Sequence, residues 1–411
     1  MDVRAQDMGV AASAWPAAFV HDLMPRWIGR AADARQGGFF DALDSEGIPL
    51  AEAPKTTLAQ ARALFTLAHL ALVTHRSEFV DAAEHAHDFM AAALHDPVNG
   101  GYVRAVTREG RPTGNPEDRV TRSYDMSFVV LALATYARLT GRADVHARLD
   151  AAWGTVQFRL TDPVTGLLLE DDAVRDPAAA DAPMRAQNPH MHMFEAALQA
   201  HEMTGDPRWL LRAAELADLG LRHFLDAPTG TVAEFRAPDL SPVAGPAGSL
   251  REIGHQCEWA WLLYRHARLS GDSSRLVSAD RMMDFALRHG FCHEGPMRGA
   301  AFDAFDLADR RAVPTFLLWP QTEAGKAFAV LHEARDAYAA ERAHDLMSLI
   351  ASRYFTADSL ACNQLDLSGR VLQPMALTRL LYHVVLFVTE GARTGLWEMA
   401  GPQQNEGGDP C

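Results

Sequence analysis

The chain is poor in lysine, in cysteine and in long apolar runs. Its 411 residues include four cysteines and only two lysines, Lys55 and Lys326, so arginine carries nearly all of the positive charge. We interpret the lysine deficit as a compositional bias of the source, without functional weight. No run of about 18 apolar residues is present, so no helix is expected to span a membrane.

Charge and targeting features exclude further classes of protein. The formal net charge of −15 at pH 7 disfavours nucleic acids and anionic membranes as partners. The N-terminus lacks a basic region followed by a sustained apolar core, which speaks against a secretory signal. The cysteines are far apart and form no CxxC pair, a pattern typical of free thiols in a reducing compartment. We therefore expect a cytoplasmic protein, monomeric or homodimeric, whose polar tail at 401–411 is flexible.

Six apolar-periodic helical segments recur at nearly constant spacing. The steps between equivalent positions are 63, 67, 66, 65 and 60 residues. A period of this length indicates an array of repeated structural units. Each segment can be aligned on one polar residue: Arg62, Asp125, His192, Glu258, Glu323 and His383.

Six further helices are predicted between these segments. Short turns such as TGRADV and TGDPRW lead into them, whereas the longer returns, such as GGYVRAVTREGRPT and TGTVAEFRAP, indicate short β-ribbons on one rim. The pattern predicts an all-α (α/α)6 barrel of six inner and six outer helices, forming one catalytic domain over 1–400, with function on the rim of long loops. An open superhelical solenoid is the alternative. The additional helices are predicted near 14–30, 79–95, 143–160, 207–224, 273–289 and 338–355.

Polar residues occupy similar depths on most of the segments aligned with the repeat. A single histidine on an apolar helix is usually a satisfied core residue, and each carboxylate could be a structural partner. Burial of so many polar groups without use would be costly, so we expect them to converge on one cavity. Aromatic planes beside hydrogen-bonding carboxylates suit a sugar ring.

A metal site is the competing interpretation of the same residues. His190, His192 and Glu195, with the His-x-x-Glu pattern at His255 and Glu258, resemble the ligands of dinuclear sites in helical bundles. However, His190 and His192 are about 200° apart around a helix of 3.6 residues per turn, so both cannot face inward. We expect no metal ion and no other cofactor.

The strings NPHMHMFEAAL, GHQCEWAWLL and LWPQTEAGKAF, with a late Tyr-His pair, resemble the N-acylglucosamine 2-epimerase superfamily over roughly 14–395. This superfamily contains N-acylglucosamine and cellobiose 2-epimerases, mannose isomerases and sulfoquinovose isomerases. The resemblance implies an (α/α)6 barrel that acts on C1 and C2 of an aldose without a required metal. Among these enzymes, the residues of these motifs are most similar to those of the mannose isomerases.

The resemblance also assigns roles to individual residues. It implies that His255 and His383 transfer protons and that Arg62 contacts the sugar. From its charge we expect Arg62 to polarise the O1/O2 edge of the sugar and to stabilise an enediolate. Gly245 and Arg379 stand where the sulfoquinovose enzymes carry arginine and glutamine, so a free hexose is expected rather than a sulfonated sugar. The expected substrate-binding residues are Tyr124, Asn188, His192, Glu258, Trp319, Glu323 and Arg379.

The residue types predict a mechanism for a monosaccharide substrate. Histidine suits proton transfer because its pKa lies near working pH. We expect His255 to open the sugar ring and His383 to carry the proton from C2 to C1 through a cis-enediol, which converts mannose to fructose, or lyxose to xylulose. We expect Glu258 to fix the tautomer of a histidine. A sugar 2-epimerase, a glycoside hydrolase using Glu258 and Glu323, and a non-catalytic sugar-binding barrel are the alternatives.

Overall fold

A computed structural model describes residues 14–355 and 361–399. The predicted flexible tail at 401–411 lies outside the described residues. Twelve long helices form two concentric rings, as the sequence predicts. The six inner helices are α2 (Thr57–Thr74), α4 (Ser123–Thr140), α6 (Asn188–Thr204), α8 (Ile253–Ser270), α10 (Leu318–Glu333) and α12 (Leu381–Arg393, preceded by the 3₁₀ turn Thr378–Leu380).

The outer ring consists of one helix before the first inner helix and of the helices that follow each of the first five inner helices. Three of the outer helices contain a π-helical turn. The outer helices are α1 (Trp15–Ala18, the π turn Phe19–Leu23, and Met24–Ala31), α3 (Ser77–Phe89 and the π turn Met90–Leu94), α5 (Ala143–Arg159), α7 (Pro207–Phe224), α9 (Leu276–His289) and α11 (Ala339–Leu349 and the π turn Ile350–Tyr354). These bounds lie within about three residues of those predicted from the hydrophobic period, which is the usual uncertainty of helix ends.

The barrel is closed, because the last inner helix packs against the first. α12 contacts α2, and Nε2 of His69 lies 3.0 Å from Oγ1 of Thr389 across this junction. The ribbon of Ala42–Leu43 with Ala376–Leu377 joins the two ends of the chain on the rim. These contacts exclude the open solenoid.

The long connections form small antiparallel ribbons on one rim, as predicted. The remaining pairs are Lys55–Thr56 with Ala105–Val106, Arg185–Ala186 with Phe235–Arg236, and Leu225–Asp226 with Thr231–Val232. Two three-stranded sheets complete the set: Leu250–Glu252, Ala304–Asp306 and Arg311–Ala312; and Thr315–Leu317, Gln364–Asp366 and Val371–Gln373. A short helix, Pro246–Ser249, precedes the first of these sheets.

One polar side chain on each of four inner helices fastens the helix to the rim. The amide of Gln60 accepts from the N–H of Phe39 at 2.9 Å and donates to its carbonyl at 2.7 Å. Gln256 and Gln321 hold Val232 and Ala301 in the same way. His190 occupies the equivalent place in the third repeat, where Nε2 accepts from the N–H of Leu168 at 2.8 Å. His190 is therefore a structural residue, and only His192 of this pair faces the cavity.

Both lysines are buried in ion pairs. Nζ of Lys55 lies 2.9 Å from Asp33 near the rim, and the Lys55 side chain is 1% exposed. Lys326 is fully buried on α10, with Nζ 2.6 Å from Oε2 of Glu323. By length and composition α2 could also cross a membrane, but it is an inner helix of the barrel and 72% of its residues are buried.

Candidate active site

A cavity opens where the N-terminal ends of the inner helices converge. Its volume is about 460 Å³, which lies within the range of small-molecule sites. Most of the residues that line it come from the first two turns of an inner helix, and the others come from the long loops. The positive ends of the helix dipoles therefore point toward the cavity and favour negative charge there.

The protonation state of His383 follows from its two hydrogen bonds. A guanidinium N–H of Arg62 donates to Nε2 over 3.3 Å, so Nε2 holds the lone pair. Nδ1 then carries the hydrogen and donates it to Oε1 of Glu323 at 2.7 Å. Burial and the charge of Arg62 hold the pKa of His383 well below its usual value. His383 is consequently a neutral imidazole whose basic nitrogen lies beside an arginine.

Arg62 is held in position by aromatic rings and by hydrogen bonds. Its guanidinium lies 4.0 Å from the ring centroid of Phe128 and 4.8 Å from that of Tyr382, which are favourable cation–π contacts. Two further N–H groups of the guanidinium donate to the hydroxyl of Tyr124 at 2.9 Å and to the carbonyl of Arg379 at 3.1 Å. The side chain is 3% exposed, so its charge acts on the cavity with little screening by solvent.

His255 has the opposite protonation state. Its Nδ1 lies 2.7 Å from Oε2 of Glu234 and 3.3 Å from Oε2 of Glu252. Burial disfavours the charged ring, but these two carboxylates outweigh burial and raise the pKa of His255 to about 10. His255 is therefore an imidazolium at neutral pH, and its Nε2–H is available to the cavity.

Glu234 is itself fixed by hydrogen bonds. Its Oε2 accepts from the side-chain amide of Gln187 at 3.1 Å, and its Oε1 accepts from the N–H of Glu252 at 3.1 Å. Trp259 donates to the other end of Gln187 at 2.7 Å. This chain of contacts orients the carboxylate toward His255, so the charge of the imidazolium has a rigid counterpart.

Trp319 packs between the two histidines. Its ring centroid is 4.9 Å from that of His255 and 6.0 Å from that of His383. The indole lies against Gly254, where a Cβ would be 2.2 Å from the ring, so only glycine leaves room for it. An aromatic plane between an acid and a base provides a stacking surface for a sugar ring.

Glu258 lines the cavity from α8, and Glu195 is buried next to His192. Glu195 accepts from Nδ1 of His192 at 3.1 Å and from the hydroxyl of Tyr382. Glu258 is fully buried, and neither of its oxygens has a hydrogen-bond partner among the described residues. Three groups at the cavity bring ligand atoms within 4.8 Å of one another and could hold a cation: His192–Glu195–Glu258, Glu234–Glu252–His255 and Glu258–Glu323–His383.

The structure brings nine of the ten predicted site residues onto the cavity wall. The exception is Glu323, which is fully buried behind His383 and supports that histidine instead of lining the cavity. The expectation that Glu258 fixes a histidine tautomer is also wrong, because Glu234 and Glu323 make those contacts. The nine residues are Arg62, Tyr124, Asn188, His192, His255, Glu258, Trp319, Arg379 and His383.

Sequence reasoning missed several residues of the site. Glu234, Arg122, Glu170 and Asn363 reach the cavity from the rim, where no period marks equivalent positions. Lys326 was overlooked on an inner helix, although it lies three residues after Glu323 and is one of only two lysines. The rarity of lysine in this chain is the sequence feature that could have indicated Lys326.

Comparison with known proteins indicates the family of the chain. The family model described as N-acylglucosamine 2-epimerase (GlcNAc 2-epimerase) matches residues 38–386. A protein of Rhizobium meliloti named mannose-6-phosphate isomerase is 29% identical, over 89% of this chain and 93% of its own length. D-mannose isomerase of Thermobifida fusca is 31% identical, over 73% of this chain and 74% of its own.

More distant relatives and solved structures extend the comparison. Cellobiose 2-epimerase of Bacteroides fragilis is 22% identical over 67% of this chain and 71% of its own. A crystal structure of D-mannose isomerase covers 93% of this chain and 98% of its own, with a TM-score of 0.81 and 21% identity. A mannanase of Bacteroides thetaiotaomicron shares only the fold, at 9% identity, 92% and 95% coverage and a TM-score of 0.68. The chain belongs to the N-acylglucosamine 2-epimerase family, whose curated members similar to it are sugar isomerases and sugar epimerases.

Proposed function

We propose that the protein is an aldose–ketose isomerase that interconverts free D-mannose and D-fructose. The observation that carries this proposal is the pairing of a protonated His255 with a neutral His383 across one cavity. Titratable groups whose surroundings drive their pKa values apart are suited to act as an acid and a base. Opening of a sugar ring and transfer of a carbon-bound proton require both.

We assign the opening of the sugar ring to His255. Its imidazolium donates a proton to the ring oxygen of the pyranose as the C1–O5 bond breaks. The neutral imidazole then takes the proton of the O1 hydroxyl, which leaves the open-chain aldehyde and restores the imidazolium. Glu234 stabilises the charged ring before and after this exchange, because its carboxylate contacts Nδ1 at 2.7 Å.

We assign the proton transfer from C2 to C1 to His383. Nε2 takes the proton from C2 of the aldehyde, and the electrons move to O1 to give an enediolate. The guanidinium of Arg62, at hydrogen-bond distance from Nε2, lies close to this charge and stabilises it. His383 then returns the proton to C1 while the proton on O2 passes to O1, and the product is a 2-ketose. Protons and electrons balance without an external reactant.

The 2-epimerase is the alternative within the same family. In that reaction the proton returns to C2 from the opposite face, and His255 is a second proton donor on the cavity wall. The isomerase reaction is favoured by the relatives named mannose isomerase and by the sequence motifs of the inner helices. A glycoside hydrolase is disfavoured because Glu323 is fully buried behind His383 and cannot flank a glycosidic bond.

Incubation with a panel of sugars in D₂O tests the proposal. The panel is mannose, glucose, lyxose, N-acetylmannosamine, cellobiose and mannose 6-phosphate, which is included because Arg122 and Arg379 line the cavity. NMR of the products should show fructose from mannose, with deuterium at C1 to the extent that the proton held by His383 exchanges with solvent before its return. Epimers labelled at C2, without ketose, would replace the isomerase by the epimerase. Turnover confined to mannose 6-phosphate would contradict the free sugar as substrate.

A further inference from the structure

Lys326 occupies an unusual position beneath the cavity. Its side chain is fully buried, and its ammonium lies 2.6 Å from Oε2 of Glu323 and 4.0 Å from Oε1 of Glu258. The ring centroid of Trp261 is 3.8 Å from Nζ, which closes the remaining side of the site. A buried ammonium is costly unless its charge is matched, so a lysine at this position requires the carboxylates that surround it.

The contact between Glu323 and His383 has two possible proton arrangements. If Glu323 is ionised, Nδ1–H of His383 donates to it and the lone pair of the ring lies on Nε2. If Glu323 is a neutral acid, it donates to Nδ1, and a neutral ring then carries its hydrogen on Nε2. Only the first arrangement leaves a base at the nitrogen that Arg62 contacts.

We propose that Lys326 is a positioning residue that keeps Glu323 ionised and thereby holds His383 in the tautomer whose Nε2 accepts the substrate proton. This proposal rests on the assignment of His383 as the base of the proposed isomerase. Lys326 does not touch the sugar, because it is absent from the cavity wall. It acts through Glu323, which links the two side chains by its two oxygens.

The surrounding charges make the proton state of Glu323 depend on this lysine. Burial and the nearby Glu258 raise the pKa of Glu323 well above its usual value, and Lys326 is the strongest influence in the opposite direction, so the ionised form of Glu323 depends on the ammonium 2.6 Å from its Oε2. Burial lowers the pKa of Lys326, but its three neighbouring carboxylates outweigh burial, so the ammonium stays charged. The charged and titratable groups around this pair are Arg62 on α2, His192 and Glu195 on α6, His255, Cys257 and Glu258 on α8, and Tyr382 and His383 on α12.

The size of lysine explains why this arginine-rich chain keeps it here. A single ammonium fits between Oε2 of Glu323 and the ring of Trp261. The guanidinium of arginine is wider and needs several acceptors in one plane. The other lysine, Lys55, is equally buried but pairs with Asp33 near the rim, so it provides a matched control.

The test compares Lys326→Met with Lys55→Met in the full-length protein. Without the ammonium, Glu323 takes up a proton at neutral pH and loses it only at higher pH. We expect Lys326→Met to lower kcat at pH 7 by at least about tenfold, within the contribution of a general base, and to recover activity as pH rises. Lys55→Met should lose thermal stability while the shape of its pH–rate profile stays unchanged.

Spectroscopy separates this proposal from the proposed function. Proton–nitrogen correlation spectra of histidine-labelled protein, with His383 assigned by its loss in His383→Gln, show which ring nitrogen carries hydrogen. We expect hydrogen on Nδ1 in the wild type and in Lys55→Met, and on Nε2 in Lys326→Met at neutral pH. An unchanged tautomer in folded Lys326→Met, or an equal loss of kcat at every pH, would overturn the proposal. An altered tautomer in a protein without isomerase activity would instead refute the proposed function alone.

Discussion

Oε2 of Glu234 lies 2.7 Å from Nδ1 of His255, and this contact makes His255 an acid. The two residues are 21 positions apart, one in a rim loop and the other in the first turn of α8. Their ion pair raises the pKa of His255 to about 10 against the effect of burial. His383 in the same cavity is held neutral, so the functional difference between the histidines is a difference between their neighbours.

Replacement of Glu234 by glutamine should move the alkaline limb of the pH–rate profile to lower pH. The acid form of His255 is active below its pKa of about 10, and removal of the nearest carboxylate lowers that value. At pH 8 to 9 the variant should lose part of the roughly 10²–10⁴-fold contribution of a general acid. The measurement is kcat/KM for mannose across pH, and a uniform loss at every pH would argue against this role.

The same ion pair should affect stability in a defined pH window. A histidine whose folded pKa is raised stabilises the fold below its unfolded pKa, near 6.5, and this contribution disappears as pH rises through the folded value. The wild type should therefore lose more stability than Glu234→Gln between pH about 6.5 and 10. Urea unfolding of both proteins across that range measures the difference, and parallel curves would contradict it.

Glu258→Gln should reduce activity without reducing stability. Both carboxylate oxygens are buried without a hydrogen-bond partner among the described residues, so we expect them to accept hydrogen bonds from sugar hydroxyls. Loss of a hydrogen bond to a charged group costs about 1.5–3 kcal/mol, or roughly 10- to 100-fold in kcat/KM. The contacts of Glu258 with charged groups are long, at 4.0 Å to Nζ of Lys326 and 3.8 Å to Nδ1 of His192, so loss of its charge should change Tm little. Full activity in this variant would exclude a sugar contact at Glu258.

Gly254→Ala should damage the site through Trp319. The added Cβ would lie 2.2 Å from the indole, which must move away from its place beside His255. Misplacement of a catalytic group by about 1 Å can cost about 10²-fold in rate. Gly154→Ala is the matched control, because its Cβ meets nothing within 4 Å on outer helix α5. This control should keep its activity and gain up to about 1 kcal/mol of stability; equal losses in both variants would contradict the account.

Prolonged treatment with EDTA should leave turnover unchanged. His255 and His383 provide an acid and a base, so the proposed proton transfers need no Lewis acid. The carboxylate–histidine groups of the cavity could nevertheless bind a cation, so metal content should be measured together with activity. Loss of activity on chelation, restored by a divalent ion, would refute metal independence.

The fold was predictable because the repeat determines it. Helices of one period, linked alternately by short turns and long loops, pack into a double ring, and the polar residues at one depth of the inner helices then face one cavity. Arg62, His255 and His383 were found in this way. The interpretation failed where position on a helix does not determine contacts. Glu323 shares the depth of Arg62 yet lies behind His383, since the side chain of that histidine covers it.

The remainder of the site depends on tertiary contacts that carry no periodic signal. Glu234 comes from a loop whose path is set by its ribbon with Arg185–Ala186, so its approach to His255 cannot be read from spacing. Composition indicated Lys326 only by rarity, and its burial between two carboxylates gives that rarity a physical reason.

Exchange of the hydrogens at C1 and C2 for deuterium in single-histidine variants tests the separate roles of His255 and His383 most directly. His383→Ala should lose isomerisation and all exchange of carbon-bound hydrogen, because the base is absent. His255→Ala should lose turnover of closed pyranoses but keep exchange at C1 of fructose, whose open keto form needs no ring opening. NMR in D₂O measures both, with losses of about 10²–10⁴-fold expected. Exchange that persists in His383→Ala and vanishes in His255→Ala would contradict the account.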